Sequence, residues 1–180
     1  LIVTYTREDT RRTVAVKTEA AGDLTLSYHE ADDRPQEKSD RLPLLMLHGG
    51  GPGASAWSNF GPALGGFAAE FRTLLVDQPG FGASDKPPVV GNYYRFSADA
   101  VVALMDHLGI EKVHLLGNIL GGGTSMRLAL SHPDRVGRLV LMGPGGLSLN
   151  LFHADPTEGV KRLMEFSADP TRENLRAFIS

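Results

Sequence analysis

The sequence predicts an α/β protein whose sheet is mostly parallel and covered by helices on both faces. Three observations carry that prediction. Short, almost wholly apolar runs recur at Pro43–His48, Phe71–Asp77, Val113–Leu116 and Arg138–Gly143, as expected of strands buried on both faces. Segments with apolar residues at helical spacing fall between them, and strand-helix-strand alternation brings successive strands parallel. Glycine-bearing loops close the runs at Gly49-Gly50-Gly51-Pro52-Gly53, Gln78-Pro79-Gly80-Phe81-Gly82 and Gly117–Gly123, where backbone must approach backbone.

Each element has its own signal. Arg12–Lys17 and Leu24–Glu30 alternate apolar and polar residues around Ala21-Gly22-Asp23, predicting an antiparallel hairpin with one wet face. Arg34–Asp40 reads as a solvated connection. Trp57–Phe60 and Ala63–Ala68 predict a helix interrupted by Gly61-Pro62, and Phe96–Leu108 a longer one stopped by Gly109 at C′. Arg138–Gly143 is expected to be one more buried strand. After Gly143 the pattern changes to two short helices, Glu158–Phe166 and Arg172 to the end, joined at Asp169-Pro170. Residues 1–147 are therefore expected to form an α/β core, and 148–180 the start of a helical cap in which the chain ends.

Composition bounds the function. The 180 residues are 42% hydrophobic and 22% charged, an ordinary globular balance that allows one domain with a real core. A net charge of −3 makes no electrostatic case for nucleic acid or an anionic membrane. The absence of cysteine removes disulfides, thiolate metal sites and a cysteine nucleophile together. With no leader pattern and no apolar stretch long enough to span a bilayer, a cytoplasmic protein is expected. His107, His114, His132 and His153 lack the spacing of a metal site.

Two readings compete for the glycine loops. Gly49–Ala54 has the G-x-G-x-x-A form of a dinucleotide fingerprint, with Asp77 ending the next strand where a ribose-binding acid could stand. Pro52 inside the loop argues against it. In the other reading, the N–H groups of His48–Gly53 face the turn at Gly117–Gly121 and bind an oxygen that becomes negative. That turn has the frame of a nucleophile elbow, G-x-S-x-G, in which a serine sits between strand and helix. The flanking glycines are Gly117 and Gly121, but the centre is Ile119. The second reading accounts for both loops, with His48 as a buried structural histidine and Asp77 binding either loop backbone or substrate.

Together, His48–Gly53, Asp77–Asp85, Gly117–Gly123 and Leu141–Leu147 resemble the meta-cleavage product hydrolases of the α/β-hydrolase fold, which cleave a C–C bond in aromatic-ring catabolism. Asp155–Leu163 and Pro170–Asn174 look most like the actinobacterial steroid-degradation branch, with the biphenyl-pathway branch second. The resemblance implies the backbone N–H groups of Gly50 and Leu120 as an oxyanion hole, in a loop shaped by Gly49 and Gly51. It implies Asn59 and Asn118 at the dienoate end of the substrate, and position 119 as the place of the serine nucleophile. The family's catalytic aspartate and histidine would lie beyond Ser180. No metal or organic cofactor is implied, the partner is a small dienoate, and the full-length form is expected to be a homo-oligomer.

Isoleucine has no lone pair with which to attack a carbonyl, so covalent catalysis through residue 119 is excluded in this chain. A catalytically silent binding protein or relic, and an ester hydrolase of the same fold, are the alternatives. An epoxide hydrolase would want an aspartate at 119. If the elbow is kept, Ile119 should have positive φ and face the Gly49-Gly50-Gly51 loop. The strand at Leu139–Met142 should be left as a sheet edge, making the chain poorly stable alone.

Overall fold

The computed structural model describes residues 3–19, 22–89, 91–147 and 158–179. Ala21 of the hairpin turn, residues 148–157 with His153 and part of the cap-like sequence, and Ser180 lie outside the described residues. The backbone divides into two compact units, Leu1–Leu147 and Ser148–Ser180.

In the first unit a short helix α1 (Arg7–Thr10) leads into the expected antiparallel hairpin of β1 (Arg11–Thr18) and β2 (Gly22–Ala31). Then come β3 (Leu44–Leu47), α2 (Ala56–Phe60), α3 (Leu64–Ala68), β4 (Thr73–Val76), α4 (Tyr93–His107), β5 (Val113–Asn118), α5 (Leu120–Ser131) and β6 (Val136–Met142). The six strands form one sheet in the order β1-β2-β4-β3-β5-β6. β2 runs antiparallel to β4, while β3, β4, β5 and β6 are mutually parallel.

The apolar strands are buried on both faces, as their sequence requires. Leu45 and Leu47 of β3, with Leu74 and Val76 of β4, join Val101, Leu104 and Met105 of α4 and Leu128 of α5 in one cluster. Leu44, Met46 and Leu75 point the other way, toward Ala56, Phe60, Leu64 and Ala68 of α2 and α3. Gly61 and Pro62 break those two helices with one 3-10 turn, Gly61–Ala63.

α4 begins three residues before its expected start because Asn92 caps it, its side-chain oxygen accepting the Arg95 N–H at 3.1 Å. Gly109 ends it with φ 65°. The Arg34–Asp40 connection is mostly exposed, as expected, but Arg34 itself is engaged: it binds Asp32 at 2.6 Å and donates to the Arg41 carbonyl at 3.0 Å. In the second unit α6 (Glu158–Ala168) and α7 (Arg172–Ile179) pair through stacked rings of Phe166 and Phe178 and a bond from Arg162 to the Ala177 carbonyl.

β6 is not buried like the other apolar strands, which corrects one expectation, and it is the open sheet edge that the other expects of Leu139–Met142. It pairs with β5 alone among the described residues, and Val140 and Met142 are 52% and 48% exposed. An apolar run marks a strand made to be covered; only its neighbours decide whether it is. An open, apolar edge is a template for pairing with another chain. Residues 1–180 in isolation are therefore expected to self-associate, and Val140→Lys to weaken that association about tenfold, as loss of roughly 1.5 kcal/mol of apolar burial implies. Sedimentation over a concentration series checks this.

Candidate active site

From β3 the chain builds β4 on one side, then crosses to build β5 on the other. The loops that follow β3 and β5 therefore diverge, leaving a crevice at the strands' carboxyl ends, the place where open α/β sheets bind ligands. Every candidate site residue lies in the loop after β3, at the β5–α5 junction (Asn118–Leu120) or on α2.

Close approach explains the elbow glycines. A Cβ on Gly121 would stand 2.1 Å from the Leu47 carbonyl oxygen, and one on Gly117 would stand 2.5 Å from the Gly121 carbonyl oxygen and from Ser125 Oγ. Only glycine lets the first turn of α5 sit against the ends of β3 and β5. Between them Ile119 has φ 47° and ψ −105°, and no other non-glycine among the described residues has positive φ. For a β-branched residue this stores about 1–3 kcal/mol of strain. Three backbone bonds hold it: Ile119 N–H donates to the Met142 carbonyl at 2.9 Å, and its own carbonyl accepts the Gly145 N–H at 2.8 Å and the Gly123 N–H at 3.2 Å. The side chain is 53% exposed.

Ile119 faces the loop after β3, as expected. A Cβ on Gly49 would lie 3.5 Å from Ile119 Cδ1, and one on Gly50 would lie 3.3 Å from Leu120 Cδ2, so the two turns touch. Neither the Gly50 N–H nor the Leu120 N–H donates to another group among the described residues. Asn59 Oδ1 accepts both the Gly49 N–H and Asn118 Nδ2, each at 3.0 Å, joining α2, the glycine loop and the end of β5. Gly51 has φ 128° and open space beside it.

His48 is fully buried, and its bonding assigns its tautomer. The Gly49 carbonyl can only accept, so Nδ1 donates to it at 2.7 Å; the Gln78 N–H can only donate, so Nε2 accepts it at 3.0 Å. Burial holds the ring below the ordinary histidine range, against the pull of the Gly49 carbonyl and Asp77. Asp77 is spent on loop backbone, accepting the N–H groups of Ala56 at 2.7 Å and Ala83 at 2.9 Å. With both carboxylate oxygens used and 1% exposure, it cannot reach a ribose, and the dinucleotide reading falls. Among the described residues no three His, Cys, Asp or Glu side chains group to hold a metal ion.

Sequence reasoning missed Gln78, Ser97 and Thr124, which meet behind the crevice. Gln78 Oε1 accepts from Ser97 Oγ at 3.1 Å and Thr124 Oγ1 at 2.7 Å. For Ser97 and Thr124 the one available signal was a polar residue within an otherwise apolar-faced helix; Gln78, in the loop after β4, carried none.

The fold and the elbow define an α/β hydrolase: the profile of the alpha/beta hydrolase fold matches residues 43–170, and the chain belongs to that family. It is 39% identical over 175 residues to a 2-hydroxy-6-oxo-6-phenylhexa-2,4-dienoate hydrolase of Comamonas testosteroni, covering 97% of this chain and 59% of that protein. It is 40% identical over 179 residues to a 2-hydroxy-6-oxononadienedioate/2-hydroxy-6-oxononatrienedioate hydrolase of Paraburkholderia phymatum, covering 99% and 60%. Among solved structures, the 2-hydroxy-6-oxo-6-phenylhexa-2,4-dienoate hydrolase of Rhodococcus sp. strain RHA1 superposes with a TM-score of 0.72 at 30% identity, covering 94% of this chain and 58% of that one. The likeness to meta-cleavage product hydrolases read from the sequence is borne out, and the chain spans about three fifths of the length of these relatives.

Two outcomes follow from the strain and the buried imidazoles. Ile119→Gly should raise the free energy of unfolding by about 1 kcal/mol, strain relief exceeding the entropy cost of glycine; urea unfolding measures it. His29, His48 and His114 are all held below the usual 6.5, chiefly by burial. Below that value the unfolded chain takes up more protons than the folded one, so their contribution is complete above pH 6.5 and is lost as pH falls through the depressed folded values. The urea midpoint should be flat from about pH 7 to 8 and drop as the pH falls below about 6.5.

Proposed function

We propose that the full-length protein to which this chain belongs is built as a C–C bond hydrolase of meta-ring-cleavage products. The substrate is a vinylogous 1,5-diketone dienoate from aromatic catabolism. In this reading the N–H groups of Gly50 and Leu120 receive the carbonyl oxygen at the scissile bond as it becomes an oxyanion. Gly49 and Gly51 shape the loop, Asn59 and Asn118 contact the dienoate end, and the second unit begins a lid. Position 119 is where the reacting oxygen would stand. A histidine further along the chain would promote enol-to-keto conversion; serine and water would then divide the substrate into an acid and a dienoate. The whole protein is read as a cytoplasmic homo-oligomer.

The observation that carries this reading is the conjunction of a positive φ at Ile119 with two unengaged N–H groups on touching turns. The relatives act on dienoates carrying a phenyl ketone or a second carboxylate, which favours those substrates over a steroid-derived one. A second reading has one specific observation in its favour. The half-exposed Ile119 side chain puts an apolar surface where a nucleophile would be, as suits a protein that binds such a dienoate without cleaving it.

Ile119→Ser in the full-length protein separates the two. Restoring a serine nucleophile is worth up to about 10⁶ in turnover where the rest of a triad is in place, while an oxyanion hole and binding alone leave about 10³ to 10⁴ over water. The revertant should therefore bleach the yellow dienolate orders of magnitude faster than the parent, and Ile119→Ala should not. A well-folded revertant inert toward phenyl-, carboxylate- and steroid-derived ring-cleavage products would leave the binding protein as the correct reading.

A further inference from the structure

We propose that Gln78 is a positioning residue that fixes the glycine loop after β3 against the start of α5, and so sets the spacing of the Gly50 and Leu120 N–H groups. The proposal rests on the crevice being an oxyanion site. Gln78 is fully buried. Its side-chain Nε2 donates to the His48 carbonyl at 2.8 Å, and the same carbonyl accepts the Gly121 N–H at 3.0 Å. One oxygen at the end of β3 thus ties the loop both to the amide of Gln78 and to the second residue of α5.

The other end of the amide closes the frame. Its Oε1 accepts the hydroxyls of Ser97 on α4 and Thr124 on α5, and flipping the group would set its oxygen against the His48 carbonyl. The backbone N–H of Gln78 fixes the His48 tautomer, so that Nδ1 carries the proton given to the Gly49 carbonyl. That carbonyl and the Gly50 N–H belong to one planar peptide and point in opposite directions. Gln78 therefore acts on the Gly50 N–H through His48, and on the Leu120 N–H through Gly121 and Thr124. A leucine or methionine would fill the same volume but can neither donate to one turn nor accept from the helix that begins at the other. Donor placement matters because an error of about 1 Å at such a site costs on the order of 10²-fold in rate.

In full-length Ile119→Ser protein, adding Gln78→Met should lower kcat by about 10- to 100-fold while KM changes less than about twofold, since the donors act on the transition state. Adding Gln78→Glu should restore much of the rate at acid pH, where a buried carboxyl stays protonated and donates to the His48 carbonyl, and lose it as pH rises. If Gln78→Met does not fold, the triple change with Ser97→Ala and Thr124→Val removes the stranded hydroxyls and makes the same comparison. Unchanged kcat in a folded variant, with only a lower melting temperature, overturns the proposal. If the serine background is itself inert, the hydrolase reading has failed and the positioning role is read in the Ile119 protein by amide NMR with acetate as probe. Gly50 and Leu120 should then shift together at one affinity that Gln78→Met weakens at least about fivefold, as loss of a preorganised donor pair implies. No joint shift, or an affinity that Gln78→Met leaves unchanged, overturns the proposal.

Discussion

The carbonyl oxygen of His48 is the point on which the upper edge of the sheet depends. It ends the most central apolar strand and accepts two hydrogen bonds, one from the α5 backbone and one from Gln78. Both donors come from segments that follow strands flanking β3 in the sheet, β5 and β4. A buried carbonyl left without partners would cost about 1–3 kcal/mol, so these segments are drawn to one place by the need to satisfy it. The absence of side chains at Gly117 and Gly121 lets them arrive, since the Leu47 carbonyl already occupies the space a Cβ on Gly121 would need. The order of the strands then turns this convergence into a crevice, because the connections leaving β3 and β5 part in opposite directions.

The backbone hydrogen-bond accounts of the two turns differ from those of the rest of the core. Asp77 satisfies the N–H groups of Ala56 and Ala83, Asn59 takes that of Gly49, and His48 takes that of Gln78. Each of these side chains immobilises a loop by accepting from its backbone, which is why so many polar residues at the strand ends are buried. The N–H groups of Gly50 and Leu120 stand outside this arrangement, side by side on touching turns. In the proposed function, donors left free on a frame braced in this way are preorganised for an anion and need no rearrangement when one arrives.

The strands were legible because burial on both faces leaves a period-free apolar run, and Leu44–Leu47 and Thr73–Val76 fall inside the expected ranges. The elbow was legible because steric demand concentrates glycine, and both its positive φ and its contact with Gly49 followed from Gly117 and Gly121. Sequence failed where the deciding partner is distant in the chain. Nothing near Gln78 reports that Ser97 and Thr124 will stand on its amide. Arg34 likewise reads as a solvated charge until Asp32 and the Arg41 carbonyl are brought around it.

Ile119 is the residue at which local and global demands disagree. A β-branched side chain disfavours positive φ, yet the backbone keeps it, held on both sides by Met142 and Gly145. Three hydrogen bonds of about 1 kcal/mol each are of the same size as the strain they oppose, so the conformation persists because the surrounding packing also forbids the alternative. Moving the Ile119 carbonyl would release Gly145, and moving its N–H would release the end of β6; shifting α5 would press Gly121 into Leu47. The frame therefore dictates the shape of the turn independently of the side chain placed on it. The turn is kept here with isoleucine at its centre, a side chain that carries no nucleophile.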